Sequence, residues 1–151
     1  KGALAAEAQD WGTAQAFFET SLDYNPTYDV ALAGLGLCRM IQDKPEEAFS
    51  LFKRAATVNP ENHRAILGVL QLGYPLKRYS EMEAMVLSYL KRYPANLDMI
   101  YSFAGLLYAQ GRVNEARNQV EKILVVEPGH ESALELREML DKIDGEPTLV
   151  M

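Results

Sequence analysis

Apolar residues recur along this chain with a helical period. Ala48, Leu51, Phe52 and Ala55 stand at i, i+3, i+4 and i+7, a spacing that lines one face of an α-helix and needs a second helix to cover it. Pro45 suits the first turn of that helix, and Glu46 and Glu47 fall near the positive end of its dipole. Gly111 lies between two such patterns, where it can end one helix in a left-handed conformation before Val113 begins the next. No segment sustains the alternation of a half-buried strand, so no sheet is expected. The pattern predicts helix pairs: Lys1–Ala8 with Trp11–Tyr24, Tyr28–Ile41 with Pro45–Val58, Glu61–Tyr74 with Tyr79–Arg92, and Leu97–Gln110 with Val113–Val126. A last helix, Glu131–Ile143, is charged enough to close a stack of helices to water. Residues 145–151, with Pro147 and no partner helix, are expected to form a flexible tail.

A second, longer period overlies the helical one. Pro26, Pro60, Pro94 and Pro128 follow one another at a constant interval. Ala14, Phe18 and Pro26 return as Ala48, Phe52 and Pro60 and, with a smaller apolar residue for Phe, as Ala116, Val120 and Pro128. Leu35-Gly36 lies in the preceding helix of the second repeat, and Gly2 holds the matching place in the first. These residues resemble the tetratricopeptide repeat, a unit of about 34 residues with a small residue at a tight helix crossing, an aromatic four positions on and a terminal proline.

The resemblance implies an all-α fold, a right-handed superhelical stack of antiparallel helix pairs (a TPR α-solenoid) with a C-terminal capping helix. One array over residues 1–144 would hold repeats at about 1–28, 29–62, 63–96 and 97–130 and a cap at 131–144. The third repeat departs from the pattern, with Leu70, Met82, Val86 and Tyr89 at the usual Gly, Ala, Phe and Ala places, and a local distortion is expected there. Gly2 already matches the eighth motif position, so the first repeat is entered partway and leaves an open apolar end.

The 151 residues and 48% hydrophobic content suffice for a continuous core. With 21 acidic against 15 basic residues the net charge is -6, which argues against a nucleic-acid partner. The longest stretches without a charge, such as Met99 to Gly111, are shorter than the roughly 18 apolar residues of a bilayer span, so membrane insertion is not expected. Cys38, the single cysteine, sits in an apolar run and reads as a small core residue; a cytoplasmic setting is favoured. Lys1 at the first position, with no apolar signal segment after it, reads as an N-terminus made by cleavage or cutting.

A search for chemistry finds no constellation. His63 and His130 follow repeat-ending prolines and read as loop residues, and no cluster has metal-ligand spacing. Gly34-Leu35-Gly36 is too short for a dinucleotide fingerprint and reads as a site of close helix packing. Glu46 with Glu47, and Glu81 with Glu83, read as solvated faces; Ser50, Ser80 and Ser88 have no histidine placed beside them. Neither an enzyme nor a bound metal or cofactor is expected.

In the resembling family the first helices line a concave groove. Its groove positions fall here on Val30, Ala33, Leu37, Met40 and Ile41, on Arg64, Leu67, Gln71, Tyr74 and Pro75, and on Asp98, Tyr101, Gly105, Tyr108 and Ala109. Some members clamp a C-terminal carboxylate; those places read Ala33, Gly34, Leu37, Arg64 and Gly68, so only Arg64 could contribute and a full clamp is not expected. The resemblance thus implies a non-enzymatic scaffold that holds an apolar peptide or helix, with Leu37, Ile41, Arg64, Leu67, Gln71, Tyr74, Tyr101 and Tyr108 as candidate groove residues. The alternatives are a chaperone similar to the tetratricopeptide proteins of type III secretion, suggested by Gly34 to Arg39, or a module attached to a catalytic domain such as a glycosyltransferase. Self-association through the open N-terminal end or the C-terminal tail is a further arrangement that the sequence permits.

Overall fold

The structure, a computed structural model, describes the backbone of residues 11–150 and the side-chain surroundings of residues 11–143. Helix Lys1–Ala8 and Gly2, expected from the pattern, lie outside the described residues. Eight helices follow in order: α1 Trp11–Tyr24, α2 Asp29–Ile41, α3 Pro45–Val58, α4 His63–Leu76, α5 Tyr79–Arg92, α6 Leu97–Ala109, α7 Val113–Val126 and α8 Glu131–Val150. Among the described residues there is no strand. By contacts the chain forms two compact units, one up to Met85 and one from Val86.

The repeat period is a burial period. Ala14, Ala48, Met82 and Ala116 are each 0% exposed, and Phe18, Phe52, Val86 and Val120, four positions later, are buried as well. Burying one of the larger side chains stabilises the fold by about 1.5–3 kcal/mol. In the first unit, Ala14, Phe18, Ala31, Leu35 and Cys38 form one cluster, flanked by Trp11, Leu22 and Leu51. Glycines on the first helices make room for the aromatic rings. A Cβ at Gly34 would stand 2.5 Å from the Phe18 ring, and the Phe52 ring lies between Gly36 and Gly68 with no space for a methyl group on Gly68. In the second unit Ala104, Leu107, Ala116, Val120, Ile123, Ala133, Leu136 and Leu140 build the core that joins α6, α7 and α8.

The turns repeat too. Asp43, Lys77 and Gly111 occupy the same place in successive repeats and have φ of 58°, 57° and 76°, so the turns α2–α3, α4–α5 and α6–α7 each use a left-handed residue. Only at Gly111 does the residue type announce it. At the starts of the next pairs, Asn62 Oδ1 accepts from the backbone N–H of Ala65 at 3.0 Å, Asn96 Oδ1 from Met99 at 2.9 Å and His130 Nδ1 from Ala133 at 3.1 Å. His130 is therefore a helix cap rather than a plain loop residue, and His63 is the first residue of α4.

The third repeat contains the residues that absorb its departures from the motif. Met82 stands where the other repeats have Ala, and Gly73 of α4 lies against its thioether. Both helices remain continuous, and α4 carries Pro75 in its last turn and runs on to Leu76. The expected distortion reduces to this extended end, because a proline removes only one hydrogen bond where the helix is already finishing. The last helix also overshoots its expected end at Ile143: the backbone stays helical through Gly145 and Pro147 to Val150, where the sequence pattern suggested a tail. Glycine costs a helix about 1 kcal/mol relative to alanine and is not an absolute stop.

Candidate peptide-binding cavity

Three helices of the first unit bound a cavity of about 340 Å³. Leu37 and Met40 come from α2, Phe52 from α3, and Arg64, Leu67, Gly68 and Gln71 from α4. The α4 residues share one helical face, being spaced i, i+3, i+4 and i+7. Gly68 has a double role: lacking a side chain, it admits the Phe52 ring, and it leaves that ring as part of the cavity wall. The volume is small for a ligand site and fits one or two side chains of a peptide.

The mouth is apolar on one side and cationic on the other. Leu67 keeps 56% of its surface exposed beside the concavity. Arg64 is exposed and makes no ion pair or side-chain hydrogen bond among the described residues. The neighbouring arginines are engaged: Arg39 approaches Glu19 and Glu47 at 3.8 and 3.3 Å, and Arg78 pairs with Glu46 and Glu81. Hydrogen bonds from Lys53 and Arg78 hold the Glu81 carboxyl below its usual range, against a smaller effect of desolvation. Beside the apolar cavity, Arg64 thus offers a cation that the described residues leave unpaired.

The structure brings four of the sequence-derived candidates together, Leu37, Arg64, Leu67 and Gln71. Ile41 is 52% exposed on α2 but does not line the cavity, and Tyr74 packs edge-on against Tyr79 with ring centroids 6.3 Å apart. Tyr101 and Tyr108 belong to the second unit, where both are half-buried against its core; the Tyr101 ring lies 6.2 Å from that of His130. Ala33, a groove position by family resemblance, is buried and unreachable. The wall residue that sequence reasoning missed is Phe52, because its period assigned it wholly to the covered stripe of α3. The pair Gly34 and Gly68, one full repeat apart, was the signal that this ring meets backbone rather than side chain.

Burial raises the pKa of the Cys38 thiol above its ordinary value, the reverse of an activated thiolate. Among the described residues no group of His, Cys, Asp and Glu could hold a metal ion, and no helix is long and apolar enough to cross a membrane.

Antiparallel helix pairs in a constant register, with buried Ala and aromatic or aliphatic positions recurring in each and a left-handed residue at the turn, constitute the tetratricopeptide-repeat fold. Solved structures share it. The crystal structure of MamA aligns over 95% of this chain and 84% of its own with a TM-score of 0.75 at 16% identity. YrrB, described as a TPR protein with an unusual peptide-binding site, aligns over 94% of this chain and 82% of its own, with a TM-score of 0.66 and 18% identity. The first TPR of Spaghetti (RPAP3), solved bound to an HSP90 peptide, aligns over 76% of this chain and 91% of its own, with a TM-score of 0.61 and 16% identity. No family model and no curated protein matches the sequence.

Proposed function

We propose that this protein is a non-enzymatic interaction module that binds a peptide or helix of a partner protein through the cavity between α2, α3 and α4. The observation that carries the reading is the cavity itself: Leu37, Met40, Phe52 and Leu67 offer an apolar seat, and Arg64 and Gln71 offer donors at its edge. An aliphatic side chain of the ligand enters the seat, and a nearby carboxylate or backbone carbonyl meets the donors. Ile41 and Tyr74 flank the bound segment. Tyr101 and Tyr108 are candidate contacts of the second unit on its own account. The fold supports this reading, since two solved structures that share it, YrrB and the RPAP3 repeat, are described with peptide-binding roles. Cytoplasmic residence fits a chain whose one thiol is buried.

A displayed library of random peptides selected against the protein tests the proposal. The selected sequences should share an aliphatic anchor, and Leu67→Asp should weaken their binding at least tenfold while the helix content is unchanged. Binding that tolerates Leu67→Asp would exclude the cavity as the site.

A further inference from the structure

The two helices that supply most of the cavity wall, α2 and α4, carry two arginines, Arg39 and Arg64. Arg39 is drawn away to Glu19 of α1 and Glu47 of α3, and Arg64 stands at the cavity. Elsewhere the chain satisfies an arginine locally: Arg78 and Arg112 each bond to an acid three residues on, Glu81 and Glu115. Three residues after Arg64 stands Leu67. No Asp or Glu occurs in α4, and from α2 to α8 it is the one helix without an acid in its first turn. Glu61, in the turn before it, makes no ion pair with Arg64. The guanidinium and the positive end of the α4 dipole therefore add, with no acid of α4 to offset them.

This charge is not a requirement of the repeat. The places in register with Arg64 hold Val30, Asp98 and Ser132, an apolar, an acidic and a neutral polar residue. Helix packing thus accepts any of these chemistries there, and the cation is particular to the repeat that has the cavity.

We infer that the peptide seated in this cavity carries an Asp or Glu side chain two residues from its aliphatic anchor, and that Arg64 selects for it. The inference rests on the reading of the cavity as a peptide seat. Leu37, Met40, Phe52 and Gly68 offer neither a charge nor a donor from their side chains, so the aliphatic group enters between them and a carboxylate is held only at the rim. Arg64 and Gly68 are one helical turn apart, about 6 Å along the axis of α4. In an extended peptide, side chains two residues apart face the same way at a separation of about 7 Å, which matches that span. An extended ligand also leaves its backbone N–H and C=O groups free for the Gln71 amide, which makes no side-chain hydrogen bond among the described residues; in a helical ligand those groups are already paired. The acid is a side chain rather than a chain end, because a terminal carboxylate gathers several donors and Arg64 is the one charged donor lining the cavity.

The test uses random peptides displayed inside a loop of a carrier protein, so that neither end is free, selected against the whole protein. Binders should be enriched in Asp or Glu two residues from Leu, Ile, Val or Met. As synthetic peptides with amidated C-termini, they should lose about threefold to fivefold in affinity with Arg64→Gln, the range of an exposed ion pair, and about tenfold or more with Arg64→Glu. Arg64 is exposed and has no side-chain bond to lose, so both variants should keep the parent's circular dichroism. Exchanging the peptide's acid for lysine should restore binding to Arg64→Glu. Peptides that lose affinity with Leu67→Asp but bind Arg64→Glu as they bind the parent overturn this inference and leave the cavity reading standing. Peptides that tolerate both variants overturn the cavity reading and this inference with it. A parallel selection with free C-termini that alone yields binders shows a terminal carboxylate at Arg64 and overturns the internal acid.

Discussion

The ring of Phe52 lies on the backbone of Gly68, so closely that a single methyl group at Gly68 would enter the ring's own volume. The same relation holds one repeat earlier, between Phe18 and Gly34. In the next two repeats the register pairs are Val86 with Ser102 and Val120 with Leu136, so the residue on the first helix grows as the one on the second helix shrinks. A smaller side chain on the second helix thus leaves room for a side chain on the first, where the phenylalanines tolerate only glycine.

Gly68→Ala should lower the unfolding free energy by about 1–2 kcal/mol. Overpacking of this kind costs roughly 1–3 kcal/mol and outweighs the gain of about 1 kcal/mol for alanine over glycine in a helix. Gly12→Ala, where a Cβ meets nothing within 4 Å, should raise stability instead. Urea denaturation of both variants checks the signs, and in a Phe52→Leu background the loss at Gly68 should shrink.

Lys77 adopts a left-handed backbone that costs an ordinary residue about 1 kcal/mol or more. Lys77→Gly should therefore raise the thermal midpoint, and Lys77→Val, β-branched in the same conformation, should lower it. Equal midpoints for the two variants would show that the turn is not held in this conformation in solution.

His130 occupies the register place of Asn62 and Asn96, and its Nδ1 accepts the N–H of Ala133. His130→Ala should cost about 1 kcal/mol, the usual value of a lost helix cap. His130→Asn should recover most of it, because the amide oxygen caps the two earlier helices in the same way. Thermal unfolding of the three proteins gives the order.

Asp29 links the start of α2 to the turn before α4 by accepting from Asn59 and Asn62 at 3.0 and 2.8 Å. Desolvation opposes its charge, but these hydrogen bonds and the backbone N–H groups of Asp29 and Val30 outweigh it, and its pKa is lowered. A carboxyl lowered in the folded state contributes stability that is fully present above its unfolded value of about 4 and is lost as the pH falls through the folded value. The stability difference between the parent and Asp29→Asn should thus be constant at neutral pH and decline below about pH 4. A difference that stays flat through the acid range, as far as the fold persists, would contradict the role given to Asp29.

Much of this fold was legible in the sequence because its period is redundant. The bounds of α1, α3, α5 and α7 coincide with those read from the apolar stripes, since Pro45 and the residues in register with it mark each start. The left-handed turns at Asp43 and Lys77 were hidden, because both residues carry a Cβ and only the register of Gly111 betrays them. Met82 looked like a defect until Gly73, on the facing helix, was seen to make room for it. Of the candidate site, sequence placed Leu37, Arg64, Leu67 and Gln71 on the helices that bound the cavity, but which residues share it depends on helix crossing, and only the fold shows Phe52 as its wall.

The central claim is that the cavity of the first unit receives a ligand side chain, and methyl NMR reads it directly. On titration with a peptide selected for binding, the methyl signals of Leu37, Met40 and Leu67 should move together and saturate at one affinity, with nuclear Overhauser contacts from the peptide's aliphatic anchor to the Phe52 ring. Shifts confined to other residues, with these three methyls and the ring unaffected at saturation, would contradict it.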